Sequence, residues 1–295
     1  MRLSDFYNLA LALGREKDPR PKTILKRESA SLYPDTQILY GKPDTQVRRI
    51  LVGIDIEAQE ILLADRLRQQ GGLDLVISHH PEGRAWAIFY EVMKLQIDML
   101  TNLGVPLKEA AELLEERKQE VERKVLPQNH NRAVDVAELL DIPFMCMHTV
   151  ADNHAQWFMD KLLREKKPKQ LGDILDILKE VPEYKIAASE NNPPRIIAGA
   201  KHAAVGKIYV EMTGGTEGPK KVYAKLYKLG IRTLVCMHLS EEHFKEVKDN
   251  ALNVVIAGHT ASDNLGLNLL LDNIEKRAKE ELQVINCSGF RRVKR

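Results

Sequence analysis

The sequence predicts an α/β protein of two pseudo-equivalent lobes, each a mixed sheet flanked by helices. Two observations carry this. Short, continuously apolar runs such as Leu75-Val76-Ile77 read as strands buried on both faces, and they alternate with segments of helical period. The order strand, helix, glycine, strand, histidine at 50–79 also returns at 207–238. The tripeptide Cys-Met-His occurs at both 146–148 and 236–238.

In chain order, residues 2–13 form a short amphipathic helix, and 16–44, rich in Lys, Arg and Pro, read as loop. Residues 50–55 are a buried strand ending on Asp55. Ile61, Leu62, Ala64 and Leu67 then mark a helix over 57–70 that Gly71-Gly72 closes. The strand 73–78 follows in a βαβ unit and ends in His79-His80-Pro81, where the proline stops the ladder. An apolar helix is expected over 85–103, with Trp86, Phe89, Met93, Ile97 and Leu100 along one stripe. Gly104 ends it, and Pro106 starts a charged helix to about 125. The narrow stripe of that second helix points it toward solvent or a partner subunit. After a short helix opened by Asn131 or Asp135, residues 143–149 form a strand and about 155–164 a helix. The polar stretch 165–169 marks a boundary, giving a first lobe of 1–165, with a helical insertion at about 85–140, and a second lobe of 166–295. In the second lobe, strands are expected at 207–212, 233–238 and 252–259, a helix at 219–229, a long helix from 262 to about 281, and a last strand at 283–287.

Composition excludes more than it identifies. With 44 basic against 42 acidic residues, nothing suggests a nucleic-acid or membrane surface. No apolar run approaches the roughly 18 residues that span a bilayer. Met1-Arg2-Leu3-Ser4-Asp5 lacks the apolar core of a signal peptide. Three scattered cysteines make no disulfide framework, so a reducing cytoplasm is expected.

Chemistry is concentrated at strand ends. Neighbouring strand residues point to opposite faces, so His79 and His80 can converge only where extended geometry stops. The C-terminal edge of an open sheet is also where ligands bind. His148-Thr149-Val150-Ala151-Asp152 and His259-Thr260-Ala261-Ser262-Asp263 share a His-Thr-x-x-Asp pattern. If a helix starts at the threonine, each histidine and its aspartate fall on one face. A single copy is more often a helix cap beside a histidine. Two copies with a His-His pair suit two divalent ions about 3.5–4 Å apart, bridged by a carboxylate. His79, His80, His148, Asp152, His259 and Asp263 are therefore the candidate metal ligands, with Zn, Mn, Fe or Ni as candidate ions. His238 and His243 are candidates for lining the same cleft, and equally for satisfied structural histidines. Cys146 reads as core, and His130 and His154 as loop or helix-cap residues. Thr213-Gly214-Gly215-Thr216 offers backbone amides to an anion, on the thin evidence of one Gly-Gly turn.

With these motifs the chain resembles the Nif-three-like (NGG-interacting factor) family, often labelled type 2 GTP cyclohydrolase I. The likeness rests on Asp55 in Gly-Ile-Asp, on Leu-Val-Ile-Ser-His79-His80-Pro, on His148-Thr-x-x-Asp152, and on Ala-Gly-His259 with its acid four residues on. It runs in order through most of 48–290. It implies a dinuclear metal centre in the cleft between the lobes, held by the same six residues, and a ring-like hexamer built from dimers. Three features depart from the family pattern: Asp263 stands where glutamate is usual, Pro-Glu-Gly-Arg-Ala-Trp follows His80, and the helix at 106–126 has no counterpart. Asp152 is accordingly expected to matter most. For the shorter Asp263, direct contact and contact through water both stay open.

The expected function is a metal-dependent hydrolase acting on a nucleotide, another phosphoester or a heterocycle. GTP enters only through the family label. Asp55, His238 or a bridging solvent are the candidate proton carriers. The alternative is a metal-binding assembly or regulatory protein without turnover, which the lack of a clear nucleotide-binding loop favours slightly. The surplus of apolar helical surface at 85–126 further suggests a homo-oligomer.

Overall fold

The structure is a computed structural model that describes residues 1–25 and 32–295. Its strands are β1 (Thr36–Tyr40), β2 (Arg49–Gly53), β3 (Leu75–Ser78), β4 (Phe144–Met147), β5 (Arg195–Ala198), β6 (Lys207–Glu211), β7 (Ile231–Cys236), β8 (Asn253–Ile256) and β9 (Gln283–Asn286). They form two sheets, ordered β1-β4-β3-β2-β9 and β5-β8-β7-β6. In the first, β2, β3 and β4 run parallel and β1 lies antiparallel on β4. In the second, β6, β7 and β8 run parallel and β5 lies antiparallel on β8. The two lobes are thus built on one plan. Superposing the strand orders sets β3, which ends at His79-His80, against β7, which ends at His238.

Strand alternation divides the first sheet into two cores. Ile50, Val52, Leu75, Ile77, Met145 and Met147 face inward, while Leu51, Val76, Phe144 and Cys146 face the helices Ala58–Gly71 and Arg132–Leu139. A reciprocal capping box between Glu57 and Glu60 opens the first of these helices.

Between the sheets run two helices, Thr149–Lys166 and His259–Ala278, which pack against each other. The first sends Val150 and Ala151 to the first sheet and Ala155, Met159 and Leu163 to the second. The other sends Leu267, Leu270 and Leu271 to the first sheet and Ala261 and Leu265 to the second. Helices covered on both sides carry apolar residues nearly all round. Gly266 lets them close up, since a Cβ there would lie 2.4 Å from the carbonyl oxygen of Ala151.

Several expectations change. The segment expected as loop over 16–44 carries β1, whose alternation is obscured by its place at a sheet edge; residues 26–31 of it lie outside the described residues. The single helix expected over 85–103 is three pieces: Gly83–Ala87, a 3₁₀ turn Phe89–Lys94, and Leu95–Leu103. Breaking it lets the chain leave the first lobe and cover the outer face of the second sheet. There Leu95, Met99, Leu100 and Ala110 pack with Tyr209, Leu234 and Val254. The surplus apolar surface read from the sequence is thus largely buried on the chain's own second lobe. The charged helix, Leu107–Val125, also buries Leu114, Val121 and Val125 against Phe89 and Met93. Finally, the expected second lobe of 166–295 gives its last strand away, because β9 pairs in parallel with β2 of the first sheet. Among the described residues no helix is long and apolar enough to cross a membrane.

Candidate metal centre

All six candidate ligands meet. His79 and His80 leave the end of β3, and His148 and His259 leave β4 and β8 to start the two central helices. The first helix begins at Thr149, as the His-Thr-x-x-Asp reading required, and the second one residue earlier, at His259, so Asp152 and Asp263 sit one turn in, below their histidines. His79 Nε2 lies 3.3 Å from Asp152 Oδ1 and 3.4 Å from Asp263 Oδ1. Asp263 Oδ2 is 3.7 Å from both His80 Nε2 and His259 Nε2, and Asp152 Oδ2 is 3.6 Å from His148 Nε2. Three overlapping groups result: His79/His80/His148, His80/His259/Asp263 and His79/Asp152/Asp263, each with its ligand atoms within 4.8 Å of one another.

The imidazoles are held from behind. His79 Nδ1 bonds the Met147 carbonyl (3.1 Å), His80 Nδ1 bonds Asp55 (2.6 Å), and His148 Nδ1 bonds Asp35 (2.8 Å). Such partners fix ring orientation and leave Nε2 to face the centre. Asp55, a candidate proton carrier by sequence, is thereby occupied as an anchor.

Asp35 escaped the sequence reading, because it lies 113 residues from His148 in a segment without clear periodicity. It is fully buried and also accepts a hydrogen bond from Thr149 Oγ1. The run of β-rich residues after it was the one available signal. Asp35→Asn is expected to weaken metal uptake about 10–100-fold, measurable by titration of the chelated protein. Unchanged affinity would mean that the His148 ring needs no such anchor.

The donor set fits metal ions. His79 Nε2, Asp152 Oδ1 and both Asp263 oxygens are buried without a hydrogen-bond partner among the described residues. Orphaned buried acceptors are costly unless something occupies them. Burial alone would push His79 down, but Asp263 and Asp152 hold it well above the usual imidazole value. Burial likewise opposes ionisation of Asp263, yet the neighbouring His79, His259 and His80 hold it well below the usual carboxylate range. His259 is pushed down to about 4 by burial and the nearby imidazoles, against the pull of Asp263. Asp263 is therefore held as a carboxylate, while His79 must release a proton before its Nε2 can bind a cation.

A cavity of about 40 Å³ adjoins the cluster, lined by His148, Asp152, His259 and Asp263 and by Glu211, Thr213, Glu217, Cys236 and His238 of the second lobe. His238 packs its ring 4.7 Å from that of His259 and is held at Nδ1 by Glu217, 3.4 Å away. The other sequence candidates take structural places. His243 bonds Ser240 Oγ and the Gly218 carbonyl, so both its nitrogens are spoken for. Cys146 is buried in β4 beside the Asp35 carbonyl. His130 is half-buried, with Nδ1 3.3 Å from the Gln128 carbonyl. His154 is buried and bonds the Val150 carbonyl. The Gly214 and Thr216 carbonyls receive the Gln96 amide from the insertion. At Gly214 and Gly215, with φ +97° and +87°, a Cβ would strike Gln96 and Val92, so both residues serve this close approach. Phe89 closes the same wall, its ring 5.5 Å from that of His148.

Fold and cluster together define a two-lobed α/β protein with a buried His/Asp centre of a kind that can hold metal. The resemblance to the Nif-three-like family holds over the whole chain. A NIF3 superfamily protein from Sphaerobacter thermophilus superposes with a TM-score of 0.78 at 26% identity, covering 98% of each chain. Two more distant structures share the fold. Reduced HcgD from Methanocaldococcus jannaschii has a TM-score of 0.54 and 15% identity over 90% of this chain and 97% of its own. Protein SA1388 from Staphylococcus aureus has 0.54 and 14% over 97% and 96%. No family model matches the sequence, and no curated protein does either.

Proposed function

We propose that the protein is a metal-dependent hydrolase of small molecules, with two divalent ions held by His79, His80, His148, Asp152, His259 and Asp263. The observation that carries this is the set of three overlapping ligand groups whose unpartnered buried atoms adjoin a cavity. Four imidazoles and two carboxylates suit Zn, Mn, Fe or Ni. Bound there, such ions would polarise a substrate oxygen and acidify water.

The chain's own part follows from its contacts. Asp55, Asp35 and the Met147 carbonyl keep the rings of His80, His148 and His79 aimed. Phe89 and Gln96 seal the insertion over the 213–218 loop and keep bulk water from that side. His238 lines the cavity with Nδ1 held by Glu217, which leaves Nε2 to take or give a proton. Glu217 suits that task, because His238, His243 and the Ser240 amide hold its carboxyl down at about 2 against burial. Of the candidate proton carriers, His238 is thus the one with a free edge.

A substrate class of nucleotides, other phosphoesters or heterocycles stays within this reading, as do a cytoplasmic setting and a homo-oligomeric assembly. For assembly, Leu107, Leu126 and Leu139 remain exposed. The small cavity favours a second reading, metal binding without turnover. One experiment separates them: turnover of a nucleotide, phosphoester and heterocycle panel by metal-loaded and chelated protein. Metal-dependent turnover is expected. Full metal occupancy with no turnover of any compound would leave the non-catalytic reading.

A further inference from the structure

The cavity beside the metal cluster has an unusual charge pattern. Among the described residues lining it there is no lysine or arginine, while Asp152, Asp263, Glu211 and Glu217 all border it. Asp152 and Asp263 are buried, with oxygens that lack hydrogen-bond partners, and they belong to the proposed ion site. Glu217 is compensated: the Ser240 amide donates to it, His238 and His243 lie 3.4 and 3.3 Å away, and Arg117 approaches to 3.8 Å.

Glu211 differs. It stands at the end of β6, and its Oε1 accepts one backbone hydrogen bond, 3.0 Å from the Gly218 amide. Burial pushes its carboxyl up to about 7, with Glu217 adding to the rise and the Gly218 amide and, more weakly, His238 and Arg117 opposing it. A carboxylate in that position is poorly solvated, and a cation brought beside it gains a charge-assisted hydrogen bond. A second anionic group in the cavity would instead face Glu211 and Glu217 together.

We propose that Glu211 makes the site selective for short zwitterionic molecules, which carry a metal-binding oxyanion at one end and a protonated amine at the other. This rests on the reading of the six-residue cluster as a metal centre. The ions would take the oxyanion and Glu211 the ammonium, which narrows the substrate class above to molecules with one anionic end and disfavours polyphosphates, nucleoside di- and triphosphates included, by charge.

The test compares two probes of equal size on the manganese-loaded full chain by calorimetry. 2-Aminoethylphosphonate and propylphosphonate differ in an ammonium against a methyl group. The aminophosphonate is expected to bind at least about tenfold tighter, the worth of one charge-assisted hydrogen bond. Glu211→Gln should bring the ratio close to one, and Glu211→Asp, which keeps the charge, should retain part of the preference. Manganese content of each variant confirms that the centre is intact. Equal binding of both probes by the parent overturns the proposal and leaves the metal centre standing, as does a preference that survives Glu211→Gln. Manganese uptake with no binding of either probe also overturns it. A parent chain that takes up no manganese overturns both this proposal and the metal reading beneath it.

Discussion

Asp263→Asn is expected to abolish metal uptake, with a loss well beyond the roughly 10–100-fold that follows when a residue behind a ligand is changed. The substitution keeps the side-chain volume and removes one anionic donor. Asp263 belongs to two of the three ligand groups, faces His79 with one oxygen and His80 and His259 with the other, and is 1% exposed. Its place between the groups suits a carboxylate that bridges two ions, despite a side chain one methylene shorter than glutamate. Asp152 belongs to one group, so Asp152→Asn should weaken uptake less and leave one ion's worth of binding. This reverses the order expected from side-chain length. Capping offers no rival account, because the helix starts at His259 with Gly258 before it, placing Asp263 beyond the cap. Elemental analysis and manganese or zinc titration after chelation decide the matter. Parental metal content in Asp263→Asn would remove it from the centre, and a greater loss in Asp152→Asn would restore the original order.

Gly266→Ala should be nearly as damaging without touching any ligand. An added Cβ meets the Ala151 carbonyl oxygen at 2.4 Å and its carbon at 2.9 Å, and backbone cannot swing aside as a side-chain tip can. The two central helices must separate, at a cost of about 3 kcal/mol by the usual scale of overpacking. For a chain of this size that lowers Tm by roughly 5 °C. Ala151 sits between His148 and Asp152, and Gly266 lies less than a turn beyond Asp263. Separation therefore pulls the two halves of the cluster apart, and metal affinity should fall along with stability. Thermal melting with and without manganese tests both parts. A variant that melts lower yet binds metal as tightly as the parent would show that the centre tolerates movement of its helices.

The chemistry-bearing residues were legible because each pair is local in sequence. His79-His80-Pro81 is contiguous, and each His-Thr-x-x-Asp spans one helical turn, so strand and helix period alone place those side chains together. The doubling of the pattern in the two halves also anticipated two sheets of one plan, down to the match of His238 with the His79-His80 strand end. What the local pattern could not supply was anything that depends on which distant segment arrives. Asp35 reaches His148 from an edge strand, where solvent on one side blurs the alternation that marks buried strands. Glu217 and Glu211 gain their roles only when the second sheet stands beside the first. The apolar stripe at 85–103 announced that something covers it, and the structure shows the covering partner to be the chain's own second lobe. Periodicity reports which face of an element avoids water, because that preference belongs to the side chains themselves. The identity of the surface that meets that face, and of the group behind each histidine, is decided by packing across the whole chain.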